Sequence, residues 1–122
     1  MAEILVVDDE HLLRSTLRHT LEAAGHVVRE AANGIEAIDA IERHRPALVV
    51  MDILMPEKEG IETILDIRRQ FGDIKIIAMS GGGRVGDTAV LTVAEKLGAD
   101  WVIAKPFNRD QLMCAVNALL GP

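Results

Sequence analysis

Asp52 stands at the end of Leu48-Val49-Val50-Met51, an apolar run with no polar alternation. Such a run suits a strand buried on both faces, as in a parallel sheet under helices. A strand of that kind has no structural use for a terminal carboxylate, and a lone buried charge is expensive. Asp52 must therefore lie near the surface, be paired, or bind a cation. The chain opens on the same design, Glu3-Ile4-Leu5-Val6-Val7 running into Asp8-Asp9-Glu10. Two later apolar runs also stop at polar groups, one at Ser80 and one at Lys105.

If these strand ends share one edge, Asp8, Asp9 and Asp52 crowd together and repel. Lys105 supplies one compensating charge. A hard divalent cation would supply the rest, and Mg²⁺ suits a few carboxylates plus waters and a phosphate oxygen. An aspartate, a cation, a lysine and a hydroxyl together describe a site that accepts a phosphoryl group. The Asp52 carboxylate attacks, the cation and Lys105 take up charge, and Ser80 donates a hydrogen bond.

The elements that position these residues alternate along the chain. Leu13, Leu17 and Leu21 recur at helical spacing, widened by Leu12, Thr16, Thr20 and Ala24, and predict a helix from Glu10 to Ala24 closed by Gly25. His26 to Ala31 reads as a short strand near a sheet edge. Asn33-Gly34-Ile35-Glu36 has the spacing of a capping box and opens a second helix to Arg43. A third helix follows Gly60, with Ile61, Ile64, Leu65 and Arg68, and ends near Phe71. Ile74 to Met79 is a fourth strand, and Gly81 to Gly86 is a flexible stretch. Val90, Val93, Ala94 and Leu97 mark a fourth helix, stopped by Gly98. Trp101 to Ala104 is the fifth strand. Asn108 caps a last helix, with Gln111 three residues on and Leu112, Val116, Leu119 and Leu120 inward. Short connections and right-handed crossovers make this an α/β domain with a parallel sheet covered on both sides. Ligands of such sheets bind at the carboxyl ends of the strands.

Composition narrows the function classes. At 122 residues the chain is one domain, residues 1–122, with a core that is aliphatic because aromatics are only 2%. A net charge of −6 disfavours non-specific nucleic-acid binding. The single cysteine, Cys114, rules out an intramolecular disulfide, fits a reducing compartment and reads as a small apolar filler. Polar residues follow the start too soon for a signal peptide, and no apolar run reaches the roughly 20 residues of a membrane span. A cytoplasmic location is expected. The four histidines lack metal-ligand spacing and read as surface residues, His11 bordering the acids.

The chain resembles a response regulator receiver domain over essentially its whole length. The likeness rests on Val6-Val7-Asp8-Asp9-Glu10, Met51-Asp52-Ile53-Leu54-Met55-Pro56, Ser80, Gly98-Ala99-Asp100 and Lys105-Pro106-Phe107. It implies a flavodoxin-like (βα)5 doubly wound sandwich with strand order 2-1-3-4-5, as in the family's chemotaxis member. It implies a two-component role, in which Asp52 takes a phosphoryl group from a histidine kinase or histidine phosphotransfer protein. Output would pass by conformational change to a downstream protein, without direct binding of nucleic acid or membrane. By the same resemblance Asp9, Asp52 and the Leu54 backbone carbonyl hold Mg²⁺ directly, and Asp8 acts through water. Ser80 is the switch hydroxyl, Lys105 bridges to the phosphate, and the Lys105-Pro106 bond is cis. Enzyme activity is limited to self-phosphorylation from a phosphodonor and slow autodephosphorylation.

Two features depart from the family. The aromatic usually found three residues before the lysine is Val102, with Trp101 beside it on the opposite strand face. Ser80 and Lys105 lie 25 positions apart, longer than usual, and the extra length is assigned to Gly81–Gly86. That loop is expected to take up the switching movement that Val102 cannot. Other functions fit less well. An aspartate-nucleophile phosphohydrolase needs an acid at position 54, which is Leu54. A flavin domain of this topology wants a hydroxyl- and glycine-rich loop where Asp8-Asp9-Glu10 stands. A non-phosphorylated scaffold would not require the full acceptor set. The chain stops at Pro122 after the last helix, so the residues hold no output domain, and either a single-domain regulator or a piece of a longer protein is expected.

Overall fold

Two apolar runs built without alternation form the centre of the molecule. In this computed structural model, which describes residues 2–53, 59–80, 95–96 and 98–121, they are β1 (Glu3–Val7) and β3 (Leu48–Asp52). Beside them lie β2 (Val27–Ala31) on one side, and β4 (Lys75–Ser80) then β5 (Trp101–Ala104) on the other. All pairings are parallel, and the order is β2-β1-β3-β4-β5. The expected α/β fold and strand order are therefore present.

Among the described residues four helices cover the sheet: α1 (His11–Ala23), α2 (Gly34–Arg43), α3 (Glu59–Gln70) and α4 (Arg109–Leu120). Strand alternation sorts the core into two layers. Leu5, Val7, Val49, Met51, Ile76 and Ala78 face α2 and α3, where Ala37, Ile41, Ile64 and Ile67 meet them. Ile4, Val6, Leu48, Val50, Ile77 and Met79 face α1 and α4, against Leu17, Leu21, Leu112 and Val116. Of the fourth helix expected around Val90 to Leu97 only residues 95–96, both helical, are described, and the Gly81–Gly86 loop and Leu54 lie outside the described residues.

Local chemistry explains where the elements stop and start. Gly25, with φ +96°, ends α1. Asn33 caps α2 by accepting from Glu36 N–H at 2.8 Å, but Glu36 accepts from Ala32 N–H at 2.9 Å, one residue before the expected partner. Asn108 and Gln111 form the complete reciprocal box on α4. Gly60 lies in the first turn of α3, not before it. A Cβ there would meet Ile53 Cα at 2.5 Å, so glycine lets α3 start against the end of β3.

Some expected burial is corrected. The stripe on α1 is narrower than its pattern: Leu12 is 73% exposed, and Thr16 and Ala24 are exposed. The Thr16 and Thr20 hydroxyls instead bond back to Leu12 O and Thr16 O. Cys114 is exposed, not a core filler, because it sits one residue before the buried Ala115–Val116 edge of α4. His26 is half-buried, and its Nδ1 accepts from Ala2 N–H at 3.2 Å.

Candidate functional site

Parallel register carries the carboxyl ends of four strands to one rim. Val7 pairs with Met51, Asp52 with Met79 and Ser80 with Ala104. Asp8, Asp52, Ser80 and Lys105 therefore leave neighbouring strands at nearly one level. A carboxylate oxygen from each of Asp8, Asp9 and Asp52 lies within 4.8 Å of the others. Asp9 is exposed, Asp8 is fully buried and Asp52 is 7% exposed. Lys105 Nζ donates to Asp52 Oδ2 at 2.9 Å and stands 3.7 Å from Asp8 Oδ2. The Lys105-Pro106 bond is cis, and Lys105 N–H donates to Ser80 O at 2.8 Å. Thus Asp8, Asp9, Asp52 and Lys105 are brought together, with Ser80 on the adjoining strand.

The two oxygens of Asp8 have different fates. Oδ1 accepts from Glu10 N–H at 2.8 Å and ties down the start of α1. Oδ2 is buried without a hydrogen-bond partner among the described residues, as is Ser80 Oγ. Burial pushes the Asp8 carboxyl above the ordinary carboxylate range, and the charges of Asp52 and Asp9 push the same way. The Glu10 N–H and Lys105 pull it back in part. Lys105 thus faces two of three clustered carboxylates, and among the described residues one Asp8 oxygen is buried without a hydrogen-bond partner. A hard cation with oxygen ligands fits this donor set, since the exposed Asp9 leaves a side open to water.

Two features of the site had no clear signal in the sequence. Arg14, one of the polar positions of α1, turns its guanidinium back onto Asp8 O at 2.7 Å. A groove of about 850 Å³ runs from Asp9, Asp52 and Lys105 between α1 and α4, floored by Leu13, Leu17, Phe107 and Leu112. Nothing in helical spacing alone indicates that two helix faces leave such a channel. Of the family's switch positions, Val102 is half-buried against the α2–α3 layer. Trp101 is 37% exposed.

Comparison with known proteins gives the family. The family model described as response regulator receiver domain matches residues 4–117. The chemotaxis protein CheY of Halobacterium salinarum is 36% identical over 118 residues, covering 97% of this chain and 96% of that protein. Response regulator MprA of Mycobacterium sp. strain KMS is 36% identical over 117 residues, 96% of this chain but 50% of its own length. Among solved structures, CheY4 of Vibrio cholerae superposes with a TM-score of 0.86 at 29% identity, covering 98% of this chain and 99% of that one. NtrX of Brucella abortus gives 0.90 at 31% identity, covering 98% of this chain and 27% of its own. The chain thus spans nearly all of some relatives and half or less of others. Fold and similarity over nearly the full length agree, and the chain belongs to the response regulator receiver domains of two-component signalling.

Proposed function

We propose that Asp52 is a phosphoacceptor, and that residues 1–122 act as one receiver domain whose output is conformational. The observation that carries this reading is the contact of Lys105 Nζ with Asp52 Oδ2 at 2.9 Å inside a cluster of three carboxylates. A carboxylate that accepts from an ammonium while two further acids crowd it suits a further cation and an incoming anion. In the step itself, an Asp52 carboxylate oxygen forms a bond to phosphorus. The donor's P–N bond breaks if it is a phosphohistidine, or its P–O bond if it is an acyl phosphate, and the electron pair leaves with the donor. Lys105 then shares its ammonium with a phosphoryl oxygen. The Ser80 hydroxyl, buried and without a hydrogen-bond partner among the described residues, is placed to donate to another.

Asp8, Asp9 and Asp52 would hold Mg²⁺, which when bound neutralises charge on the transferring oxygens. The Leu54 carbonyl, the other expected ligand, is outside the described residues. Since Asp52 is 7% exposed, a donor protein must approach closely, and the open groove between α1 and α4 gives access. Membership of the family supports a histidine kinase or phosphotransfer protein as donor, with a separate protein downstream. Among the described residues no helix is long and apolar enough to cross a membrane, which accords with a cytoplasmic setting. Beyond accepting a phosphoryl group and slowly losing it, no enzymatic turnover is proposed.

The test is intact-mass analysis after incubation with acetyl phosphate. Wild type should gain one phosphoryl group in Mg²⁺ and none in chelator. Asp52→Asn should gain none, because an amide is a poor nucleophile and forms no acyl phosphate. Equal labelling of that variant would move the acceptor to another residue.

A further inference from the structure

We propose that Arg14 is the positioning residue of the acidic rim, fixing the turn that presents Asp8 and Asp9 to the cation. The proposal rests on the metal-site reading above. Its basis is the bond from Arg14 Nη1 to Asp8 O at 2.7 Å. That carbonyl belongs to the planar peptide unit joining Asp8 to Asp9. Rotation of this one unit would swing the two carboxylates relative to each other, and Arg14 blocks it.

The guanidinium is itself held from the sheet. Arg14 Nε donates to Glu30 Oε1 at 2.8 Å, and Arg18 Nη1 donates to Glu30 Oε2 at 2.9 Å. Arg14 Nη2 also lies 3.1 Å from His11 Nδ1. Glu30 belongs to β2, so the fork links the turn after β1 to the neighbouring strand. Asp8 N–H donates to Ala31 O at 3.1 Å on that same strand. Asp8 is therefore anchored through its N–H, its C=O and Oδ1, and only Oδ2 is left for the site. The Arg14 side chain is 14% exposed, which shields the fork from water. A residue that orients metal ligands from behind acts through them, and its loss typically weakens metal affinity tenfold or more.

The sign of the charge makes the proposal testable. A cation beside the rim opposes Mg²⁺, so removing the Arg14 charge by itself should tighten metal binding. Loss of positioning should weaken it. Mg²⁺ titration by calorimetry would compare wild type, Arg14→Met, Arg14→Lys and Arg18→Met, each checked by circular dichroism to be folded at the working temperature. Arg18→Met removes a neighbouring charge and a Glu30 partner but leaves Asp8 O untouched. The expected result is about tenfold weaker binding in Arg14→Met, with wild-type or slightly tighter binding in Arg18→Met. Arg14→Lys should fall between, because an ammonium reaches one partner and not the fork. Folded Arg14→Met binding Mg²⁺ as tightly as wild type would overturn the positioning role while leaving the metal site standing. Wild type that binds no Mg²⁺ would overturn the metal-site reading and this proposal with it.

Discussion

The acidic rim and the clamp formed by Arg68 and Asp100 use the same residue types at opposite ends of the sheet. At the amino-terminal end of β4, Arg68 donates from Nε to Gly98 O at 2.7 Å and from Nη1 to Ile74 O at 2.6 Å and Gly72 O at 3.1 Å. Its Nη2 pairs with Asp100 Oδ2, which also accepts from Ile76 N–H at 2.8 Å. Every charged group there has partners. At the rim, Lys105 meets Asp52 and Asp8 with Asp9 beside them, and Asp8 Oδ2 and Ser80 Oγ have no hydrogen-bond partner among the described residues. The clamp is saturated and serves the fold. Leaving polar atoms unsatisfied costs stability, and the two ends of the sheet differ in that cost. The Gly98-Ala99-Asp100 motif thus belongs to architecture, and Asp8-Asp9 with Asp52 to the proposed phosphoacceptor site.

Breaking the clamp should give the largest effect on folding. Gly98 has φ +132°, and a Cβ would meet Arg68 Cγ at 2.5 Å. Gly98→Ala should therefore lose about 3 kcal/mol through backbone strain and displacement of Arg68. Asp100→Ala, which strands Ile76 N–H and one end of Arg68, should lose about 2 kcal/mol. Urea unfolding without Mg²⁺ measures both. An unchanged midpoint for either would mean that the saturated bonds add nothing to the fold.

Substitution at the rim should go the other way. Asp8→Asn keeps an oxygen for Glu10 N–H and removes a carboxyl whose ionisation is opposed by burial. A carboxyl raised in the fold contributes its stability below its unfolded value and loses it as pH rises through the folded value. At neutral pH, in chelator, Asp8→Asn should therefore be more stable than wild type by about 1 kcal/mol, and the gap should close in acid. Mg²⁺ binding should weaken in the same variant. A destabilised Asp8→Asn would class Asp8 with the clamp.

The rim was legible in the sequence because each of its residues ends an apolar run, and strand alternation with parallel topology does the rest. Asp8, Asp52, Ser80 and Lys105 needed only the strand order to be placed. The clamp was not legible, since its bonds join Arg68 to residues 30 and 32 positions away. Arg68 looked like one more residue of a helical stripe. Arg14 was missed for the same reason, its partners being a backbone carbonyl and a glutamate on another strand. Leu12 and Cys114 show the opposite error. Spacing finds the centre of a helix's buried face, but its width depends on the neighbouring helix.

Glu30 provides the finest test, because it is an acid of the saturated kind lying close to the rim. Hydrogen bonds from Arg18 and Arg14 hold its carboxyl below the ordinary range, against a smaller opposing effect of burial. The sign is thus the reverse of Asp8. Its contribution is present above the unfolded value and disappears as pH falls through the folded one. The pair with Arg18 is partly open to solvent, so the effect should stay under about 1 kcal/mol. Relative to Glu30→Gln, wild type should be more stable at neutral pH, with the difference shrinking in acid. Relative to Asp8→Asn, it should be less stable at neutral pH, with that difference also shrinking in acid. Thermal unfolding of the three proteins in chelator, at neutral pH and at a pH near the ordinary carboxylate values, measures both gaps. Two gaps of the same sign would mean that hydrogen-bond saturation does not separate the acids that hold this fold from the acids proposed to carry its chemistry.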